Sequence, residues 1–367
     1  MKKSYLKLIA LVLAILSILP LALMSCNVSP DGNDDTSNPS QTNNSTNDQN
    51  THPTPKVALD LTAEWEKING ENTLVQGCLV VNTKFAAEHP NEIAKFLQDY
   101  KTSVEYIKAG SDDAINMIVN AGILPKAAIA KKALPNCNIC YIAGNDMKSV
   151  MNTFCQKIHA YDPQSIGNAL PTDGFYHVSS GNAEAANKET EIKVYALNGT
   201  TALGMAQMIE NKKNNTLDMN YNISLHASAD AITGAIVQGE CAIAALPTNV
   251  ALKLFNKSQG KLQLLALNTL GVLYLLDNGT QNITSLADLK GKTVYLPGAG
   301  SNPEYITAAL LESAGLKVGT DVFLDTTTYN SPDALQTAFV SGKAPLAVLP
   351  EPKVTVAMNA ANAAKAG

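Results

Sequence analysis

The chain has 367 residues, 46% of them hydrophobic and 16% charged, which is apolar content enough for more than one lobe. Its net charge is −5, and all 27 basic residues are Lys. An acidic chain without Arg lacks the cationic footprint that meets nucleic-acid phosphates, and it lacks the usual bidentate fork for sulfonates, carboxylates and phosphates.

The first 25 residues carry Lys2 and Lys3, then an apolar run from Leu8 to Leu16, then Leu23-Met24-Ser25 ahead of Cys26. A basic start and an apolar stretch ending at small residues is a secretory leader. Pro20 and the shortness of the run argue against a retained membrane span. The Leu-x-Ser-Cys ending resembles the bacterial lipobox, which implies that Cys26 is diacylated and becomes the mature N-terminus. Residues 26–55 are rich in Asn, Ser, Thr, Asp and Pro, a composition that cannot bury enough surface to fold and reads as a tether. Lipid, tether and body place the protein at the outer face of a cytoplasmic membrane. The periplasmic face of an outer membrane is the other location open to it.

The body opens with a strand, Val57–Leu61, followed closely by Trp65, the only Trp. That ring either stacks on a ring-shaped ligand or packs. A second apolar strand around Leu79–Asn82 leads into a helix over Glu92–Ile107. Cys137-Asn-Ile-Cys140 has C-x-x-C spacing, but no second pair and no His at ligand spacing completes a zinc set, so small apolar thiols in a buried segment are the favoured reading. A disulfide among Cys137, Cys140 and Cys155 is the second option. A polar run follows at 179–191.

The remainder contains a duplication. Ser228–Pro247 aligns without gaps on Ser331–Pro350, with nine identities in twenty positions. Each copy has Ser ahead of a helix, an acid in its first turn, Gly at its end, then a short apolar strand closed by Leu-Pro. Upstream of each copy lies a strand, a small-residue loop and a helix: Lys193–Thr201 in one case, Thr293–Asn302 in the other. Strand–loop–helix followed by helix–strand implies parallel sheets with right-handed crossovers. In such sheets ligands sit beyond the carboxyl ends of the strands. Those ends are Asn198–Thr201 and Pro247–Asn249, and Gly298–Asn302 and Pro350–Pro352.

Val194-Tyr-Ala-Leu-Asn-Gly, Ile243-Ala-Ala-Leu-Pro-Thr-Asn, Leu270-Gly-Val-Leu-Tyr, Leu286-Ala-Asp-Leu-Lys-Gly-Lys-Thr-Val-Tyr and Leu349-Pro-Glu-Pro resemble segments of the solute-binding lipoproteins of ABC importers. The branch they resemble handles nitrate, sulfonates, taurine and thiamine pyrimidine precursors. The resemblance implies an α/β, two-lobed periplasmic-binding-protein-like (type II) clamp, each lobe a mostly parallel sheet flanked by helices. It also implies a small-molecule ligand, a permease partner with its ATPase, no cofactor and a monomer.

The order of the segments departs from that family. Those resembling its later part, Lys56–Val178, come first, and its opening strand appears only at Ile192. This reads as a circular permutation, with 179–191 bridging the original termini. One lobe is then 56–71 plus 283–367, the other 72–282, with hinge crossings near Gly70–Asn72 and Asp277–Asn282.

The candidate ligand residues are Asn198, Thr200, Thr201, Ser228, Thr248, Asn249, Thr269, Gly300, Ser301, Asn302, Glu351 and Trp65. Most stand at loop-to-helix starts or strand ends, where N–H groups and hydroxyls hold an anion or a polar ring without Arg, and where plain capping is the alternative. Glu351, between two prolines, either accepts from a ligand amine or is solvated. No G-x-S-x-G, H-E-x-x-H or G-x-x-x-x-G-K-[ST] is present. A receptor is therefore expected rather than an enzyme. Menaquinone- and thiamine-pathway enzymes on the same fold, and a surface scaffold or adhesin, are the alternatives.

Overall fold

Eleven strands carry the architecture: β1 (Lys56–Asp60), β2 (Val75–Asn82), β3 (Ile139–Ala143), β4 (Ile192–Leu197), β5 (Tyr221–His226), β6 (Ile243–Pro247), β7 (Leu262–Leu270), β8 (Leu273–Asp277), β9 (Thr293–Tyr295), β10 (Phe323–Asp325) and β11 (Leu346–Pro350). The structure is a computed structural model and describes residues 54–366. The leader, Cys26 and nearly all of the tether lie outside them. Among the described residues no helix is long and apolar enough to cross a membrane.

The strands form two sheets, ordered β3-β7-β2-β6-β4-β5 and β1-β8-β11-β9-β10. In the first, β4 is parallel to β5 and β6, while β2 runs antiparallel to β6 and β7. In the second, β9 is parallel to β10 and β11, while β8 runs antiparallel to β11 and β1. Setting aside the edge strand β3, the two orders superpose strand for strand: β5-β4-β6-β2-β7 on β10-β9-β11-β8-β1. The duplicated helix–strand unit occupies the same place in both, as helix Asp230–Gln238 with β6 and helix Pro332–Val340 with β11. This is a mixed α/β fold of two sheets with flanking helices.

Burial explains the pattern of residues. All eight positions of β2 are buried, as expected of an inner strand covered on both faces. Each fully buried Val or Leu contributes about 1.5–3 kcal/mol relative to exposure. The run 179–191 lies against helix Pro90–Lys108. The Asn182 N–H donates to Asn91 Oδ1 at 2.8 Å and the Asn187 N–H to Glu92 Oε1 at 3.0 Å.

In each sheet the antiparallel strand is delivered by chain arriving from the other sheet. The first crossing runs from β1 through helix Leu61–Asn69 to β2. That helix is capped at its start by the Asp60 carboxylate, which accepts from the N–H groups of Thr62 and Ala63, and is ended by Gly70 at φ 95°. The second crossing is only Gly271-Val272, between β7 and β8. The sequence pattern places it at 277–282, with 273–277 in the other lobe. β8 instead pairs with β1 and β11, and 277–282 is a tight turn within the second lobe. The turn is fixed by Asp277, fully buried, whose carboxylate accepts from the N–H groups of Gly279, Gln281 and Ile283 at 2.8–3.2 Å.

Gly271 is required by close approach. A Cβ there would sit 2.3 Å from Thr62 Oγ1 and 2.4 Å from Thr62 Cγ2, pressing the second crossing into the helix of the first. Gly271→Ala is expected to cost about 1–3 kcal/mol in urea unfolding, the usual range for overpacking. Adding Thr62→Ala should recover part of that loss, and an unchanged midpoint in the single variant would contradict the contact.

Candidate functional site

A cavity of about 370 Å³ lies between the two sheets at the carboxyl ends of β4, β6 and β11 and beyond β9. Its walls come from the loops 197–201, 247–250, 297–303 and 350–353, with Gln76 of β2 and Val272-Leu273 of the second crossing. The sequence-derived candidates Asn198, Thr200, Thr201, Asn249, Gly300, Ser301, Asn302 and Glu351 all stand on it. Four others do not. Thr248 and Thr269 are fully buried behind the wall, their hydroxyls donating to Val75 O at 2.9 Å and Asn268 Oδ1 at 3.1 Å. Ser228 is exposed away from the cavity, and its Oγ accepts from the Asp230 N–H at 3.2 Å, a capping role. Trp65 is 2% exposed, its indole N–H donates to Thr73 Oγ1 at 3.0 Å, and its ring packs 6.0 Å from that of Phe154. It fills the seam between helices and has no face left for a ligand.

Glu351 is neither solvated nor free. It is 3% exposed, and its carboxylate accepts from the Thr355 N–H at 3.1 Å and hydroxyl at 2.9 Å. Burial pushes its pKa above the ordinary carboxylate range, with the Thr355 and Asn136 contacts pulling the other way. The side chain thus lies at the foot of helix Lys353–Ala366, near Cys137 and Tyr274.

Several polar contacts join the loops across the cavity. Asn249 Nδ2 donates to Gly300 O at 3.1 Å, and Asn302 Nδ2 donates to Gln76 O at 3.3 Å. Lys253 Nζ donates to the Tyr305 hydroxyl at 3.2 Å and lies 4.8 Å from the centroid of that ring. At the back, the Val272 N–H donates to Gln76 Oε1 at 2.6 Å, and the Glu351 N–H donates to Val272 O at 2.9 Å. These contacts join the two sheets around the cavity.

The sequence reading missed Gln76, Val272 and three of the six prolines that line the cavity, Pro297, Pro303 and Pro332, while Pro247, Pro350 and Pro352 fall within the strand ends it named. A signal for Gln76 existed, since it is the one long polar side chain in the otherwise apolar run Val75–Val81. The lining holds one Glu, one Lys, amides and hydroxyls, and no His, Cys or Asp. His226 is elsewhere, against Tyr195 at 4.5 Å between centroids and bonded to Ser224 Oγ at 2.9 Å. The cysteines of the body, Cys78, Cys137, Cys140, Cys155 and Cys241, are buried and unpaired. Burial pushes the Cys140 and Cys155 thiols up to about 12, so they behave as small apolar groups.

No family model and no curated protein matches the chain. Solved structures similar to it include the alkanesulfonate-binding protein SsuA from Xanthomonas axonopodis pv. citri bound to MOPS, at 15% identity and a TM-score of 0.32. Two others are the periplasmic aliphatic sulphonate binding protein SsuA from Escherichia coli (16%, TM-score 0.34) and an ABC transporter from Parabacteroides distasonis (22%, TM-score 0.34). The matches cover 46%, 46% and 47% of this chain and 57%, 57% and 56% of those structures, so the chain spans just over half their length.

The raised Glu351 pKa has a stability consequence. The fold favours the protonated carboxyl, so as pH climbs past the ordinary Glu value of about 4.3 the unfolded chain releases this proton first. Stability contributed by the group is full below that value and is lost as pH rises through the folded-state pKa. In urea melts from pH 4 upward, Glu351→Gln should show a shallower loss than the parent, with the gap widening as pH rises. A constant gap would mean that this carboxyl is not held protonated by burial.

Proposed function

We propose that the protein is a solute receptor that captures a small organic or anionic solute between its lobes and delivers it to the permease of an ABC importer, worked by that importer's ATPase. The cavity carries this reading. Both sheets contribute the same kind of strand-end loop to one enclosed space, and the chain joins them only by the two short crossings at 61–74 and 271–272. Such a geometry lets the lobes part about the crossings, and ligand closes them by binding the closed arrangement better than the open one. The lining offers no paired acid and base for a reaction, so we read the site as a binder. The leader and the lipobox-like Cys26 support a lipid-anchored protein outside the cytoplasmic membrane.

Purified protein should gain about 2.7 kcal/mol of stability at a hundred times the dissociation constant of its ligand, seen as a raised melting temperature. The panel for that melt holds nitrate, sulfonates, taurine, hydroxymethylpyrimidines, riboflavin precursors and amino acids. Recovery of the compound unchanged would separate a receptor from an enzyme. A cooperative melt that nothing shifts would sink the receptor reading and favour a scaffold.

We further infer that the order of the elements is a circular permutation. β7 follows β6 and its helix, whereas its counterpart β1 precedes the whole body instead of following β11 and helix Lys353–Ala366. A chain re-ordered to join 366 to 56 through a short linker, with new ends inside 179–191, should fold to the same circular-dichroism spectrum and bind the same ligand. Loss of cooperative unfolding in that variant would argue that the present order is needed for the fold.

A further inference from the structure

Resting on the receptor reading, we propose that the cleft selects an uncharged compound presenting ring or amide N–H groups, and that it rejects acceptor-only anions such as nitrate and alkyl sulfonates. The first ground is the orientation of three amides. Asn249, 3% exposed, faces the carbonyl of Gly300, so its Nδ2 must point there and its Oδ1 is left buried with no partner. Asn302, 7% exposed, faces the carbonyl of Gln76 in the same way, which turns its Oδ1 away from both protein acceptors on Gln76 and Thr248. Gln76, 8% exposed, must turn Oε1 to the Val272 N–H, so its Nε2 remains a donor with no protein partner among the described residues. Asn249 Oδ1 is thus a buried acceptor without a partner, and a ligand that reaches it, the Asn302 Oδ1 and the Gln76 Nε2 would donate more than it accepts.

The second ground is that helix starts of the second lobe, which would attract an anion, carry the protein's own acids, whereas the starts at Thr200 and Thr248 in the first lobe carry none. Parallel strands bring helix starts to the cavity, and such starts favour negative charge. On the second lobe two of them are met by the protein's own carboxylate. Glu304 accepts from the Gly300 N–H at 2.5 Å, and Asp333 sits in the first turn of its helix and pairs with Lys353. At the third start the Glu351 carboxyl, pushed toward its neutral form by burial, accepts from Thr355. Lys253, outside the lining, donates to the Tyr305 hydroxyl and Gly300 O, and the chain has no Arg.

The walls supply the third ground. Pro303 and Pro332 stand within the first two positions of their helices, where each deletes an N–H, and with the four other prolines on the cavity they present flat apolar rings. A cavity of about 370 Å³ with such walls and a few convergent amides suits one or two fused rings.

The test uses the purified full-length protein and two probe sets in thermal-shift and calorimetric titrations. One set is uracil, cytosine, adenine and nicotinamide; the other is nitrate, methanesulfonate and ethanesulfonate. Binding of at least one member of the first set and none of the second is expected. Asn249→Leu should then weaken that binding roughly tenfold, a loss read from titration of the folded protein because the variant also removes the bond to Gly300 O. Should that variant fail to fold, Asn302→Leu serves the same purpose. A shift from an anion alone overturns this inference and leaves the receptor standing. Silence from the N–H donors while some other compound binds overturns it likewise, and silence from every compound sinks both readings together.

Discussion

The peptide unit at Val272 is the constraint on which the rest of the arrangement depends. Here the chain leaves one sheet and enters the other, and both polar groups of the residue are taken. Its N–H goes to Gln76 in the first lobe at 2.6 Å, and its carbonyl takes the Glu351 N–H in the second at 2.9 Å. Gln76 is held by β2, an inner strand, and Glu351 by the end of β11, so Val272 ties the two sheets together beside the other contacts between them. Gly271 next to it has no side chain, which lets Thr62 of the other crossing pack directly against it. The loops on either side of the cavity meet as they do because this junction leaves little room for another register.

From topology alone the cleft should favour anions. Strand ends and helix starts converge there, and backbone N–H groups point toward the space. The sequence modifies that tendency residue by residue. Prolines remove donors at the starts of helices Asn302–Ser313 and Pro332–Val340, Glu304 occupies the first of these as well, and Asp333 of the second pairs with Lys353 on the cavity wall. The residues left on the lining are chiefly amides, hydroxyls and prolines. Chemistry and fold therefore have to be read separately at this site.

Much of the framework was legible because it is written in local patterns. Ser331 does cap its helix, Gly239 does end one in the left-handed region, and the two Leu-Pro strand ends do meet at one cavity. The errors have a common origin in contacts between residues far apart in the chain. β8, Leu-Tyr-Leu-Leu-Asp, reads as a continuation of the apolar run through β7, and alternation says nothing about which sheet a strand joins. The turn after Asp277 looks like an exposed connection until the burial of that carboxylate is known. Trp65 sits beside a crossing, as a ligand-stacking ring would, yet Phe154 and Thr73 close around it. Gln76 was overlooked because a polar residue in a buried strand gains its meaning only from the partner opposite, here nearly two hundred positions away.

The two lobes share one plan in which each receives its antiparallel strand from the other. Sheet order follows from which faces are buried and which edges pair, and neither depends on the sequence in which the strands are made. β1 pairs with β8 along its length and is followed by the capped helix into β2, so its place is secured by what it contacts and by what comes after it. The covalent link that would join it to β11 through helix Lys353–Ala366 lies within one lobe and away from both crossings. Separating those two elements in the chain costs closure entropy, which grows only slowly with the length of the intervening segment. It leaves the junction at Val272, and with it the geometry of the cavity, untouched. Two sheets that interlock through their antiparallel strands would keep these pairings in a chain of different order, as the re-ordered variant tests.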